Sequence, residues 1–129
     1  MPKLPKEVKK WLDIAKEDLD VAKELFKSGR FLYATFFCQQ AVEKTFKAII
    51  EKEHKEEPPY IHNLVRLADL AGYPIDIVIT EHLEDLNLHY IKGRYAIGRD
   101  KLPGNKKAFA SKMIKFTEEV SSWSLKKLK

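Results

Sequence analysis

The sequence predicts an all-α protein, an up-and-down bundle of four long helices plus one short helix, in a single domain over residues 1–129. Three observations carry this prediction. Apolar residues recur at spacings of three and four along most of the chain, which is the period of an amphipathic helix. The strict apolar and polar alternation of a β-strand is missing throughout. The prolines lie almost entirely at the ends of the periodic segments, where they interrupt helices least.

The first two helices are predicted over Pro5–Lys27 and Phe31–Glu53. Proline suits a first helical turn, and Ser28-Gly29 ends helix one because glycine tolerates the left-handed conformation. The first half of helix two, FLYATFFCQQAV, is apolar nearly all round, so we expect this helix to be central and covered on several sides. Its second half is amphipathic, with a polar side that comprises Glu43, Lys44 and Lys47.

The remaining three helices follow a connection that contains two adjacent prolines, Pro58 and Pro59. A short helix over His62–Ala71 is expected to act as a spacer between the two halves of the bundle. Helix four is predicted over Ile75–Lys92, and helix five over Lys106–Leu125 after a segment with two glycines and a proline. The buried stripe expected in helix four comprises Ile75, Ile79, Leu83, Leu86 and Tyr90.

Composition restricts the class of protein. No window has the roughly 18 apolar residues that a membrane span needs, and no apolar segment follows the basic N-terminus, so we expect a cytoplasmic protein. The single cysteine, Cys38, excludes an intrachain disulfide and fits a reducing compartment. Lysine and glutamate are abundant while glutamine and asparagine are scarce, a bias seen in thermophile proteins.

The net charge of +5 is concentrated in the last third of the chain. Residues 92–129 hold 11 basic and 3 acidic residues, against 13 basic and 16 acidic in residues 1–91. Such a basic region attracts phosphates or acidic partners without base specificity. The alternative is a lysine-rich face that is simply solvated.

The stretch NLHYIKGRYAIGRDKLPG, residues 87–104, is the first candidate for a site. Tyr90, Ile91 and Arg94 share one helix face, so the first two would seat the helix and leave a guanidinium at its rim. A guanidinium stays charged and binds phosphate oxygens through two parallel hydrogen bonds. The alternative is that Arg94 only complements the helix dipole.

Other kinds of site have less support. His82, Asp85 and His89 lie close to one helical face, but two histidines and one acid do not make a closed metal site, so no metal is expected. No serine lies in a glycine-rich elbow, and no GxxxxGK loop is present, so no cofactor is expected either. A histidine in the position of His62, at a helix start, is usually a capping or packing residue.

Four blocks of the sequence together resemble the HEPN superfamily of small helical domains. They are SGRF, YATFFCQQAVEKTFKAII, PPYIHNLVRLADLAG and LHYIKGRYAIGRD, in the order and spacing of the family. The resemblance implies a helical bundle that dimerises with its sites near the pairing surface. It also implies one of several functions: many members are metal-independent RNases, others are paired with a small nucleotidyltransferase that acts as antitoxin, and some bind nucleotides.

The RNase members use an arginine and a histidine four to six residues later. Arg94 matches that arginine, but residues 95–101 contain no histidine. Cleavage of RNA through its 2′-hydroxyl needs a base for the proton and positive charge for the phosphorane, and only the positive charge is evident here. His62 or Asp100 would have to serve as the base.

The leading hypothesis is therefore a homodimeric HEPN-domain protein that binds a nucleotide or RNA phosphate at a basic cleft, as the toxin-side partner of a nucleotidyltransferase antitoxin. The alternatives are a metal-independent RNase, with Arg94 and Arg99 as catalytic residues, and a non-catalytic helical protein-interaction module. The residues expected at the cleft are Tyr90, Arg94, Tyr95, Arg99, Glu43, Lys44 and His62.

Overall fold

A computed structural model of the chain describes residues 4–92 and 105–128, apart from the side chains of residues 90–92. The five helices are α1 (Lys6–Lys27), α2 (Phe31–His54), α3 (Leu64–Ala71), α4 (Ile77–Lys92) and α5 (Lys107–Lys127). These two described ranges contain no strand, so the all-α prediction is confirmed. None of the described helices has the length and apolar character that crossing a membrane requires.

The helices α1 and α2 form an antiparallel hairpin. At its turn, the rings of Phe26 and Phe31 meet edge to face with centroids 5.3 Å apart. At its other end, the indole Nε1–H of Trp11 donates to Glu51 Oε1 over 3.0 Å. Contacts at both ends hold α1 against the whole length of α2.

The helix α5 runs parallel to α2, because Phe46 of α2 contacts Trp123 and Glu53 pairs with Lys127 further along both helices. The helix α4 is antiparallel to α5, since His82 contacts Phe116 and His89 contacts Phe109. Consecutive long helices therefore alternate in direction, and α3 lies between the second and third of them. This is the predicted up-and-down order.

The helix α2 packs against all four other helices, as expected for a central helix. Burial is most complete in its second half, where Ala41–Ile50 is buried at every residue except Lys44. In the first half Ala34, Thr35, Cys38 and Gln39 are buried, whereas Tyr33 is 47% exposed. The predicted polar side is therefore covered as well, since Glu43 and Lys47 are buried and Lys44 is partly buried.

The core forms where the later turns of α2 meet the other helices. Its largest fully buried apolar side chains are Phe46, Ile49, Leu64, Leu67, Leu83, Leu86 and Met113. Complete burial of such a side chain stabilises the fold by roughly 1.5 to 3 kcal/mol. The core thus fixes the second half of α2 most firmly, and this half carries the polar cluster described below.

Two helix starts differ from the predicted ones for the same reason. The side chain of Asn63 accepts hydrogen bonds from the backbone N–H groups of Val65 and Arg66, so α3 begins at Leu64 and His62 lies before the cap. The carboxylate of Asp76 accepts from the Ile79 N–H over 2.8 Å, so α4 begins two residues later than predicted. In consequence Ile75 lies outside α4 and is 40% exposed, not part of its buried stripe.

Candidate functional site

The centre of the candidate site is the carboxylate of Glu43, which is 1% exposed in the middle of α2. Gln39 Nε2 donates to Glu43 Oε1 over 2.9 Å, and Lys47 Nζ donates to Glu43 Oε2 over 3.2 Å. These residues are four apart, a spacing that places them on one face of a helix. The helix α2 itself, through residues one turn before and one turn after Glu43, therefore supplies two of the hydrogen-bond partners that a buried carboxylate requires.

A second set of contacts completes a closed ring of side chains around this carboxylate. Gln40 Nε2 donates to Gln39 Oε1 over 2.6 Å, and Lys44 Nζ donates to Gln40 Oε1 over 3.2 Å. Lys44 Nζ also lies 3.4 Å from Glu43 Oε2, which closes the ring. Each member thus limits the rotamers of its neighbours, and the carboxylate is held in one orientation.

His62 adds a hydrogen-bonding partner for this carboxylate from outside α2. Its Nδ1 lies 3.1 Å from Oε2 and 3.2 Å from Oε1 of Glu43, and its side chain is 47% exposed. Because a carboxylate accepts, Nδ1 carries the hydrogen, and a neutral imidazole then has its lone pair on Nε2. Glu43 thereby selects both the ring orientation and the tautomer of His62.

The backbone beside His62 is fixed from α4. Asn87 Oδ1 accepts from the Leu64 N–H over 2.8 Å, and Asn87 Nδ2 donates to Asn63 Oδ1 over 3.2 Å. Two asparagines therefore satisfy the first donors of α3, which have no partner within the helix itself. The last turns of α4 are tied in this way to the residue that follows His62.

Opposing effects act on the pKa of Glu43. Burial on its own raises the pKa, but the ammonium groups of Lys44 and Lys47 and the hydrogen bond from His62 outweigh it. The pKa of Glu43 therefore lies below its usual value, and the carboxylate is ionised at neutral pH. Asp18 of α1 is close enough to contribute to this electrostatics: burial raises its pKa, and the charge of Lys44 opposes that rise.

The structure brings together three of the residues predicted for the cleft, Glu43, Lys44 and His62. Arg94, Tyr95 and Arg99 lie outside the described residues, as does the side chain of Tyr90.

Four members of the cluster are not predicted as site residues from the sequence. Lys47, predicted on the polar side of α2, is buried. Gln39, Gln40 and Asp18 have no predicted role. The available signal was the spacing of four between Gln39, Glu43 and Lys47, which suits a chain of side-chain contacts along one helix face.

The two histidines of α4, His82 and His89, pack against phenylalanines of α5. The His82 ring tilts against Phe116 with centroids 5.0 Å apart, and the His89 ring stacks on Phe109 at 5.9 Å. His89 Nδ1–H donates to the Asp85 carbonyl over 2.8 Å, and burial lowers the pKa of His89. Within residues 4–92 and 105–128, no three His, Cys, Asp or Glu side chains are grouped so that they would hold a metal ion.

The cluster has the chemistry of an anion site with a proton acceptor beside it. Lys44 offers an ammonium whose side chain is 18% exposed, and His62 offers an oriented, half-exposed imidazole. The ammonium groups of Lys44 and Lys47 are accompanied by two carboxylates, those of Glu43 and Asp18. A phosphate oxygen is the kind of group that an ammonium binds together with an imidazolium, the form in which Nε2 of His62 also carries a hydrogen.

Comparisons with known proteins agree with this architecture. The chain matches the family model described as HEPN domain over residues 8–128. It also superposes on a solved structure described as the crystal structure of TT1696 from Thermus thermophilus, with a TM-score of 0.73 and 19% sequence identity over 95% of this chain and 99% of that one. At this identity the likeness concerns the fold alone. No functionally curated protein matches the chain.

Proposed function

This chain belongs to the HEPN domain family, and we propose that it binds the phosphate of a nucleotide or of RNA beside Glu43, Lys44 and His62. The observation that carries the proposal is the buried carboxylate of Glu43 against Nδ1 of His62. Burying a charge is costly unless it is fully paired, and a carboxylate that only stabilises the fold has no need of a half-exposed histidine. The pairing instead supports a role for His62 at the surface.

The proposal extends to the basic residues that follow α4 in sequence. Asn87 of α4 binds the start of α3 beside His62, and Arg94 follows it by seven residues. We propose that Arg94 and Arg99 supply guanidinium groups to the same cleft. Asp18 offsets part of the lysine charge in the described cluster, so these arginines would account for most of the affinity for an anion.

We further propose that the protein is a homodimer and the toxin-side partner of a nucleotidyltransferase. For association, the support is an apolar group at the α3–α4 junction, where Ile75, Ile77 and Val78 are all exposed. Light scattering of the parent and of Ile77→Asp tests whether this surface pairs two copies. For the nucleotidyltransferase, the support is the family, and co-purification of both proteins from one expression host is the test.

A second candidate function is metal-independent cleavage of RNA. It is favoured by one observation: Glu43 holds His62 in the tautomer that accepts a proton at Nε2, which is the role left open by the missing histidine after Arg94. In this reaction the Nε2 lone pair of His62 would take the proton of the 2′-hydroxyl. Arg94 would stabilise the charge that develops on the phosphorus oxygens.

Fluorescence anisotropy with a labelled RNA octamer tests the binding proposal. We expect Lys44→Ala, His62→Ala and Arg94→Ala to weaken binding relative to the parent protein. Lys16→Ala is the matched control, because Lys16 is a lysine of α1 that pairs with Asp20 at the surface. Equal affinities for all four variants would refute the proposed cleft and favour the interaction module.

The nuclease candidate is tested by incubating the same RNA in a chelator. His62→Ala and Arg94→Ala should both abolish cleavage, while His62→Gln separates the loss of the proton acceptor from the loss of the side chain. Cleavage that survives His62→Gln would remove His62 from the reaction.

A further inference from the structure

Tyr60 is the most exposed large hydrophobic residue among the side chains that the structure describes, at 85%. A ring in this position contributes almost no burial to the fold, and both of its faces are open to a ligand. Its hydroxyl donates to Glu57 Oε1 over 2.6 Å. This hydrogen bond favours one orientation of the exposed ring.

The backbone at Tyr60 is fixed as well. Pro58, which is buried, and Pro59 come directly before it. The Ile61 N–H donates to the Pro59 carbonyl over 2.9 Å, which makes a three-residue γ-turn with Tyr60 at its apex. Ile61 itself packs against the core. A rigid ring loses little conformational entropy when a ligand binds, so its contact area converts efficiently into affinity.

The backbone of Tyr60 is close to the site proposed above. Tyr60 precedes His62 by two residues, so their Cα atoms are at most about 7 Å apart. His62 contacts Glu43, so the γ-turn directly precedes the residue that joins this loop to the cluster. A ligand with its phosphate at the cluster would therefore have its adjoining group within reach of the ring.

The charges on either side of Tyr60 indicate which part of a ligand it receives. Glu56 and Glu57 directly precede the prolines and are exposed, so they disfavour a phosphate at the ring. They do not repel an uncharged base. Lys44, in contrast, offers a donor to a phosphate, and His62 offers a second one at Nε2 when its ring is protonated. The base of a nucleotide would thus lie at Tyr60, and its phosphate would lie at Lys44 and His62.

We infer that Tyr60 is a stacking platform for the base of the nucleotide, or of an RNA residue, whose phosphate binds beside Lys44 and His62. The inference rests on the proposed function and adds a base subsite to it. Stacking of a base on an aromatic side chain is sequence-tolerant, because every base has a π-face. The subsite therefore favours single-stranded RNA or free nucleotides over a duplex, in which the bases are already stacked.

The test measures anisotropy with two labelled probes, octaadenylate and an abasic ribose-phosphate octamer of the same length. Tyr60→Ala should weaken octaadenylate binding by about 5- to 150-fold, the range expected for one stacked base, and leave abasic binding unchanged. Tyr60→Phe keeps the ring and should bind like the parent. Tyr33→Ala is the matched control, because Tyr33 is an exposed tyrosine on the same helix as Glu43 but about 15 Å away along its axis.

The possible results separate the inference from the proposed function. If Tyr60→Ala binds octaadenylate like the parent while Lys44→Ala and His62→Ala bind it more weakly, the base subsite is wrong and the phosphate site stands. If the parent binds neither probe, both are wrong. Upfield shifts of the Tyr60 ring protons on addition of octaadenylate, absent with the abasic probe, give a second readout that supports the stacking.

Discussion

Neutralising Glu43 by Glu43→Gln isolates the electrostatic part of the site, because glutamine keeps the shape of the side chain and removes its charge. Two ammonium groups and the Nδ1–H of His62 then lose their anion, while the Gln39 amide keeps an oxygen to donate to. Lys44 and His62 are partly exposed, so water compensates for most of their loss. Lys47 decides the outcome, because its side chain is only 7% exposed and its ammonium would remain buried without an opposite charge.

Breaking a buried ion pair by removing one partner costs about 3 to 5 kcal/mol. The Trp11 ring lies 5.8 Å from the Lys47 ammonium, and this cation–π contact is present in parent and variant alike, so it does not change the difference. We therefore expect Glu43→Gln to lower the free energy of unfolding by about 3 to 5 kcal/mol. Lys47→Met should cost less, because Glu43 keeps Lys44 and His62. The double variant should cost less than the sum by at least about 1 kcal/mol, since no unpaired ammonium is left.

Urea unfolding followed by circular dichroism at pH 7 measures all four proteins of this cycle. A loss below about 1 kcal/mol for Glu43→Gln, or a double variant that equals the sum within about 0.5 kcal/mol, would refute the central role of Lys47. Acid supplies a second check. The pKa of Glu43 is lowered from 4.5, so its stabilisation is present above pH 4.5 and is lost as the pH falls through the lowered pKa. The difference in free energy of unfolding between the parent and Glu43→Gln should become smaller over this pH range.

Three further residues give predictions that one variant or one reagent checks. Burial lowers the pKa of His89 below 6.5, so the unfolded chain binds a proton at a higher pH than the folded chain does. The free energy of unfolding should therefore fall as the pH drops below 6.5, by at most about 1.4 kcal/mol per pH unit. This fall should be smaller in His89→Gln. Asn63→Ala removes the cap of α3 and should cost about 1 kcal/mol in urea unfolding, whereas Asn63→Asp keeps an acceptor and should cost less. Burial raises the pKa of Cys38 to about 12, so a thiol reagent at pH 7.5 should react with the native protein only as fast as the chain opens. In urea the unfolded chain should react at once. Rapid reaction of the native protein would contradict the burial of Cys38.

The helices could be predicted because each one has to present an apolar stripe to the others. The period of three and four located α1, α2 and α5 to within two residues at either end. The starts of α3 and α4 were placed two residues early, because Asn63 and Asp76 act as caps with their side chains and so belong to the turn and not to the helix. Apolar periodicity alone does not distinguish a cap from a first helical residue.

The candidate site was predictable in three of its members but not in its arrangement. Glu43, Lys44 and His62 can be named from the sequence, yet the hydrogen bond between His62 and Glu43 joins residues that are 19 apart along the chain. Lys47 looks exposed in any helical projection, since the residues that cover it, such as Trp11, belong to another helix. The spacing of residues along the sequence predicts which side chains share a helix face. Whether that face is exposed to solvent depends on the packing of the other helices.

Because α2 packs against all the other helices, the exchange of its amide protons should report on ligand binding to the folded chain. Amide protons of Ala41–Ile50 should exchange with deuterium only when the entire bundle opens, because no partial opening frees this segment. Any molecule that binds the folded chain slows global opening by the factor 1 + [L]/Kd. The exchange rate of these amides would therefore rank unlabelled compounds by affinity, wherever on the surface they bind.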